Sequence, residues 1–456
     1  MAITRRIGLG LAARGEVGEV AAWAAAARRT GLDSVWIHDS YFERDAVTYV
    51  SAIAAEIGAD ESEDGFRIAL GAVNPFTRHP VVLAMTGSAL DEMAPGRIVM
   101  GLGTGLPLRL KQMGIPYAPD AAVEQVGAAM DQLRALWAGE RLPSATEGLP
   151  PIQPMFPPPH RIPLVIAAYR KEFVQLAGQK ADGYLARPAE SIPSLTGILR
   201  RLREAAQAAG RDAGSVESAG YLLTLVDSSR REALNRAKRE PFVIYMMSVL
   251  GDVSLARAGF ERELRDRIAA AWRAEEFHAA AELIPDDLLD AFMLCGTVEE
   301  VAAGALAFHE RAGLELPLLQ PVLQEEAQVS ELLRAAEAYG RLPEAAAERW
   351  GGIVGAEGDV PPASLPETGD ERPFSGGWLR RRAGAVAEVL RPFSFTASVV
   401  PIAAGGALAF VHGAFDAGLF FLALLAGVLL HIGTNVVNEV YDVRQGIDTI
   451  TSPRAS

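Results

Sequence analysis

The stretch from Arg67 to Gly105, RIALGAVNPFTRHPVVLAMTGSALDEMAPGRIVMGLGTG, constrains the fold more than any other part of the chain. Ile68 to Leu70 is a short apolar run that ends at Gly71. A loop dense in hydrogen-bonding groups follows, through Ala72, Val73, Asn74, Thr77, Arg78 and His79 to Pro80. Proline suits the first turn of a helix, where its missing N–H costs nothing. Val82, Leu83, Met85, Leu90 and Met93 then recur at helical spacing. Pro95-Gly96 ends that helix, and Ile98 to Met100 begins a second strand that runs into Gly101-Leu102-Gly103-Thr104-Gly105. A strand–helix–strand unit of this kind puts both polar loops at the carboxyl ends of parallel strands, where α/β folds place their ligands.

The same alternation extends along most of the chain. Ile7 to Leu11, Ser34 to Ile37, Ile162 to Ala167, Gly183 to Ala186, Tyr221 to Val226 and Leu318 to Leu323 read as further strands. Helices are expected over Glu16–Arg29, Ala121–Ala138, Lys171–Gln179, Ile192–Ala209 and Val329–Tyr339, with Arg230 to Asp290 wholly helical. Thr297 and Glu300 form a capping-box start for a helix ending near Ala312. Leu142 to Pro159, rich in proline and without periodicity, reads as a surface loop. About eight strand–helix units in this order predict a TIM (β/α)8 barrel with helical insertions over residues 1–342.

With 456 residues the chain has room for such a barrel and an appendage. Its net charge of −14 argues against nucleic acid as a partner, which demands clustered Lys and Arg. A single cysteine, Cys295 in AFMLCG, excludes an internal disulfide and reads as core. The N-terminal apolar run is too broken by glycine for a signal peptide.

Residues 343–378 read as a flexible linker of Gly, Pro, Glu and Asp. Beyond it the composition changes. Phe393 to Val411 and Leu419 to Val437 are each apolar and long enough to span a bilayer, which predicts a two-span transmembrane segment within residues 379–456. Arg380, Arg381, Arg382 and Arg391 precede the first span. The positive-inside rule then leaves the barrel in the cytoplasm, tethered to the cell membrane.

NPFTRHP followed by a helix, LDEMAPGR and a strand ending in GLGTG resembles the luciferase-like superfamily. Within it the pattern is most similar to oxidoreductases that use coenzyme F420, of the methylenetetrahydromethanopterin reductase type. The resemblance implies a hydride transfer between the deazaflavin and a small organic substrate, and barrels that often pair as homodimers. It assigns coenzyme contact to Asp39, at the end of the second strand, where His38 is a further catalytic candidate. It implies a bulge with a non-prolyl cis peptide in the Gly71 to Asn74 loop, at Gly71–Ala72 or Ala72–Val73. Thr77, Gly103, Thr104 and Gly105 join Gly71, Ala72, Val73 and Asn74 as cofactor-binding candidates. Ala168, Tyr169, Arg170 and Lys171, which open a helix, are candidates for the coenzyme phosphodiester. Dehydrogenases of this superfamily follow the Asp with a catalytic His and the glycine-rich turn with a Glu. Here Ser40 and Leu106 stand in those places. What remains suits transfer to an imine-like or methylene carbon, which needs orientation more than a proton relay.

The tail carries a second resemblance. Leu390 to Ser394 and Asn438-Glu439-Val440-Tyr441-Asp442-Val443-Arg444-Gln445-Gly446-Ile447-Asp448 are similar to the start and first aspartate-rich motif of UbiA-type polyprenyltransferases. That implies Asn438, Asp442 and Asp448 as ligands of Mg2+ bridged to a diphosphate. The remaining spans and second motif of that family are not in this sequence, so the segment is expected to be incomplete. Competing readings are an FMN-dependent luciferase-like monooxygenase, a fragment of a bifunctional menaquinone-pathway prenyltransferase, and a non-catalytic tethered barrel.

Overall fold

The computed structural model describes residues 5–40, 43–58, 64–105, 107–167, 170–350 and 396–444. Its strands are β1 (Gly8–Ala12), β2 (Ser34–His38), β3 (Arg67–Val73), β4 (Ile98–Gly103), β5 (Leu164–Ala167), β6 (Gly183–Ala186), β7 (Glu217–Val226), β8 (Leu294–Gly296) and β9 (Leu316–Pro321). β1 to β7 follow one another in parallel, β7 pairs with β9, and β9 pairs with β1. The sheet therefore closes, as a TIM barrel does.

β8 is an addition to the ring. Thr224 pairs with Leu294 on β8 and with Pro321 on β9, so these two lie on opposite edges of β7. β6 pairs only with Glu217 to Gly220. β8 thus continues along the edge that β6 leaves. Cys295 lies in it, buried as expected, and burial pushes its thiol well above the ordinary value.

The inside of the barrel is filled by alternate strand residues: Trp36, Ala69, Val99, Val165, Leu185, Ala219, Tyr221, Leu316 and Leu318. β1 contributes no bulk to this layer. A Cβ at Gly8 would stand 2.6 Å from Leu318, and one at Gly10 only 2.5 Å from the Tyr221 ring. At the amino ends of the strands, Arg67 bridges Asp33 (2.7 Å) and Glu217 (2.8 Å), and Arg6 reaches both carboxylates. Burial would raise those two carboxyls, but the guanidiniums outweigh it and hold both below their ordinary values.

The helix Val298–Ala312 begins with the expected reciprocal cap between Thr297 and Glu300. The segment expected to be wholly helical, Arg230 to Asp290, is a series of six short helices. Its breaks fall near Pro241, Gly251, Gly259 and Pro285, where proline or glycine interrupts the ladder. β7 starts at Glu217 rather than Tyr221, because β6 and β9 pair with its weakly apolar first half. Packing against the barrel continues beyond Leu342. Trp350 is buried, lies against Gly304 and has the Arg230 guanidinium 4.7 Å from its ring centroid.

The C-terminal helices Thr396–Val411 and Ala417–Arg444 form an antiparallel hairpin. Ser398 Oγ meets His431 Nδ1 at 2.9 Å, and Cβ atoms built on Gly427 and Gly406 would meet Ile402 and Phe420. Among the described residues only one helix is long and apolar enough to cross a membrane, with the window Ala417–Thr434 at mean hydropathy 2.1. The expectation of two spans is corrected to this extent: the first described helix has 16 residues and carries Pro401 inside it. Residues 343–350 of the expected linker are described and fold against the barrel; its remainder, Arg380 to Arg391 and the start of the expected span at Phe393 lie outside the described residues.

Candidate active site

Above the Tyr221 layer, at the carboxyl ends of the strands, His38 and Gln320 point inward. Each stands two residues beyond an inward neighbour, Trp36 and Leu318. β1 runs between their strands, and the missing side chain at Gly10 lets them meet. Gln320 Nε2 lies 3.3 Å from His38 Nε2, and His38 Nδ1 lies 2.8 Å from Ser40 Oγ. Burial, with Arg14 adding to it, lowers His38 from its ordinary 6.5 to about 4, so the ring is neutral at physiological pH. Gln320 Oε1 is buried and has no hydrogen-bond partner among the described residues.

Tyr221 ties this layer to β3. Its hydroxyl donates to the Gly71 carbonyl at 2.5 Å, and its ring stands edge-on to His38. Gly71–Ala72 is cis, which decides between the two positions left open by the sequence, and the register of β3 against β4 shifts between Leu70 and Val73. A Cβ on Gly71 would stand 2.6 Å from Trp36 and 2.7 Å from the Tyr221 hydroxyl. Only glycine fits there.

The following loop is held by its own polar groups. Asn74 is buried, donates to the Thr104 carbonyl at 2.7 Å and accepts from the Phe76 N–H at 2.8 Å. This fastens the β3 loop to the turn Gly103-Thr104-Gly105. Thr77 Oγ1 donates back to the Asn74 carbonyl, and His79 accepts from Val81 N–H as a helix cap. Arg78 donates to Asp39 at 2.9 Å and to Asp45 at 2.8 Å, while its Nε is buried without a partner among the described residues. The Asp39 N–H faces the Ala72 carbonyl at 3.4 Å. Asp39, Ala72, Asn74, Thr77, Arg78 and Thr104 are therefore one connected cluster beside His38.

Gly103 has a reason besides a ligand, because its Cβ would stand 2.9 Å from the Ala167 carbonyl of β5. Arg170 donates to the Pro119 carbonyl and pairs with Glu172, while Lys171 is exposed. Ala168 and Tyr169 lie outside the described residues, as does Leu106. In the tail, Asn438 and Asp442 fall in the last turns of the helix Ala417–Arg444, and Asp448 lies outside the described residues. Among the described residues no cluster of His, Cys, Asp and Glu is placed to hold a metal ion.

The sequence matches the luciferase-like monooxygenase family over residues 1–315. The chain belongs to that family. Among curated relatives, a 5,10-methylenetetrahydromethanopterin reductase of Methanolobus tindarius is 25% identical over 287 residues, covering 62% of this chain and 85% of the relative. An uncharacterised protein of Mycobacterium bovis is 27% identical over 317 residues, 66% of this chain and 89% of that one. The coenzyme F420-dependent tetrahydromethanopterin reductase of Methanopyrus kandleri superposes with a TM-score of 0.62 at 22% identity, over 74% of this chain and 97% of the other. An F420-dependent secondary alcohol dehydrogenase gives 0.55 at 18%, covering 73% and 99%. These similarities establish a closed luciferase-like barrel.

Reading the sequence of this luciferase-like chain alone misses three inward or buried groups. Tyr221 and Gln320 sit in apolar strands, and a lone glutamine in LELPLLQP is the signal that could have found the second. At the end of β6, Arg187 donates to Glu190 at 2.7 Å, and buried Glu190 accepts from the hydroxyls of Ser194 and Ser254. That cluster fastens the helix Asp252–Arg257 beside the carboxyl end of β6.

Proposed function

We propose that the barrel is an F420-dependent oxidoreductase that passes a hydride between the deazaflavin and a small organic substrate at its carboxyl-end face. The observation that carries this reading is the joining of Asp39, Arg78 and the Gly71–Ala72 backbone into one cluster beside a neutral His38. The similarity to methylenetetrahydromethanopterin reductase supports it. The residues present fit a planar, polar-edged ring, since Gln320 Oε1 and Arg78 Nε are buried and lack partners among the described residues.

When bound, the deazaflavin supplies a carbon that gives or takes a hydride. Asp39, Ala72 and Asn74 form the wall that positions it, and Tyr221 holds that wall from inside the barrel. The turn Gly103 to Gly105, fixed by Asn74, would lie beside that wall. Arg170 and Lys171, at the start of the helix Lys171–Lys180, are the basic groups that would meet the coenzyme phosphodiester. His38, being neutral, orients by hydrogen bonding and carries no charge to the reacting atoms. Orientation without a charged proton relay suits reduction of an imine-like or methylene carbon.

A second reading, an FMN-dependent monooxygenase, is favoured by the family description itself. One experiment separates the two. F420 and FMN are titrated separately into full-length protein in detergent, followed by fluorescence quenching. The expected result is tight F420 binding that is lost in Asp39→Ala. Binding of FMN alone moves the chain to the monooxygenase branch, and binding of neither rejects the redox reading.

The C-terminal hairpin is read as a membrane anchor. Its support is the window Ala417–Thr434, none of which is buried, with Leu422, Leu425, Leu429 and Leu430 exposed. On the same reading, the resemblance of residues 438–448 to a prenyltransferase motif would suit a position at a membrane edge. Homodimer formation belongs to the same family-based reading and is checked by sedimentation.

A further inference from the structure

Gln320 is the least expected side chain inside the barrel. It is 5% exposed, on a strand whose other inward residues, Leu316 and Leu318, are apolar. One end of its carboxamide is fixed against His38. The other end has no hydrogen-bond partner among the described residues. A buried carboxamide left half unpaired is costly, and such groups are rare unless something else satisfies them. A structural core position here would be filled by leucine, as the other inward positions of β9, Leu316 and Leu318, are.

The surroundings say what could satisfy it. His38, which Gln320 meets, stands in edge contact with Tyr221, which in turn holds the Gly71 carbonyl. Gln320 therefore belongs to the same connected layer of inward groups as the β3 bulge. The tautomer of His38 sets which end of the carboxamide is free. With Nδ1–H of His38 donating to Ser40, Nε2 accepts from Gln320 and leaves Oε1 as an acceptor. With the opposite tautomer the free end is the NH2 donor. A ligand edge that offers N–H and C=O side by side is complementary in either case.

We propose that Gln320 reads the imide edge, –CO–NH–CO–, of the tricyclic ring that deazaflavins and flavins share, accepting the ring N–H at Oε1. This deepens the redox reading and rests on it, but does not depend on which of the two coenzymes is bound. Gln320 is then a binding group of the cofactor, positioned by His38 and Ser40, and Gly10 is the gap that brings them together.

The test compares FMN and F420, each with its own counterpart methylated at the imide nitrogen, titrated into full-length protein in detergent. Loss of one buried hydrogen bond is worth about tenfold or more in affinity. The wild-type protein is expected to bind the methylated ring at least about tenfold more weakly than the parent ring. Gln320→Ala, which removes the acceptor and leaves room for the methyl group, is expected to bind the two rings equally and the parent ring about tenfold more weakly than wild type does. Equal binding of both rings by the wild type overturns the proposal while leaving the redox reading intact, and needs no variant to fold. Undiminished discrimination by Gln320→Ala also overturns it. Binding of no ring at all removes the redox reading and this proposal together.

Discussion

The Tyr221 hydroxyl donates to the carbonyl of Gly71 across the barrel interior, 150 residues away in sequence, at 2.5 Å. One end of this bond belongs to the polar loop that the sequence makes prominent. The other belongs to an apolar strand with nothing to mark it. Burial of the ring raises its hydroxyl above the ordinary tyrosine value, so it remains a donor at all working pH values.

Removing that hydroxyl takes the Tyr221 donor away from the buried Gly71 carbonyl. Tyr221→Phe is expected to cost about 1–3 kcal/mol of stability. Urea unfolding checks the cost, and coenzyme titration should show weaker binding, because the wall beside Asp39 loses its inner tie.

Gly10 is set by close approach rather than by a turn. In Gly10→Ala the new methyl would lie 2.5 Å from the Tyr221 ring. The ring must move, at a cost of about 1–3 kcal/mol, and the contact between His38 and Gln320 is expected to break with it. A variant as stable as wild type, with unchanged ring binding, would show that this strand position is tolerant.

His38 makes the barrel sensitive to mild acid. Its value in the folded protein is about 4, against 6.5 ordinarily. The unfolded chain therefore takes up a proton between those values and the folded chain does not. Its contribution is fully present above pH 6.5 and is lost as pH falls toward 4. Stability measured at pH 7 and pH 4.5 should fall more in wild type than in His38→Gln, by about 2 kcal/mol. Equal slopes would show that the ring is not held neutral.

At the opposite end of the barrel the charges serve stability alone. Arg67→Met leaves Asp33 and Glu217 with Arg6 as their remaining shared guanidinium and is expected to cost about 1–3 kcal/mol. Ring binding by the surviving folded fraction should be unchanged, because amino-end residues of a TIM barrel support the fold and carboxyl-end residues carry the site. Loss of binding in step with Asp39→Ala would contradict that division.

The membrane reading is checked by fractionation. The full chain is expected in the membrane fraction, and a chain ending after Trp350 in the soluble fraction. The cut belongs there and not at Leu342, because Trp350 packs under the Arg230 guanidinium.

Much of the architecture was legible in order along the chain. Pro80 begins its helix, Thr297 and Glu300 form their cap, and Gly183 to Ala186 is a strand where apolar spacing predicts one. Asp39 and the loop from Gly71 to Thr77 stand together at one carboxyl-end face, as the strand–helix–strand order requires. These features are local: periodicity, caps and breakers act within a few residues, so the sequence displays them directly. The partners were not legible. That Tyr221 meets Gly71, that Gln320 meets His38 over Gly10, and that β8 takes up the edge β6 leaves all depend on the closing of the sheet. Closure brings strands hundreds of residues apart into one layer, and no local pattern in either strand records which side chain will stand opposite. The sequence by itself determined the elements and the polar loop; the tertiary structure alone decided which inward groups that loop faces.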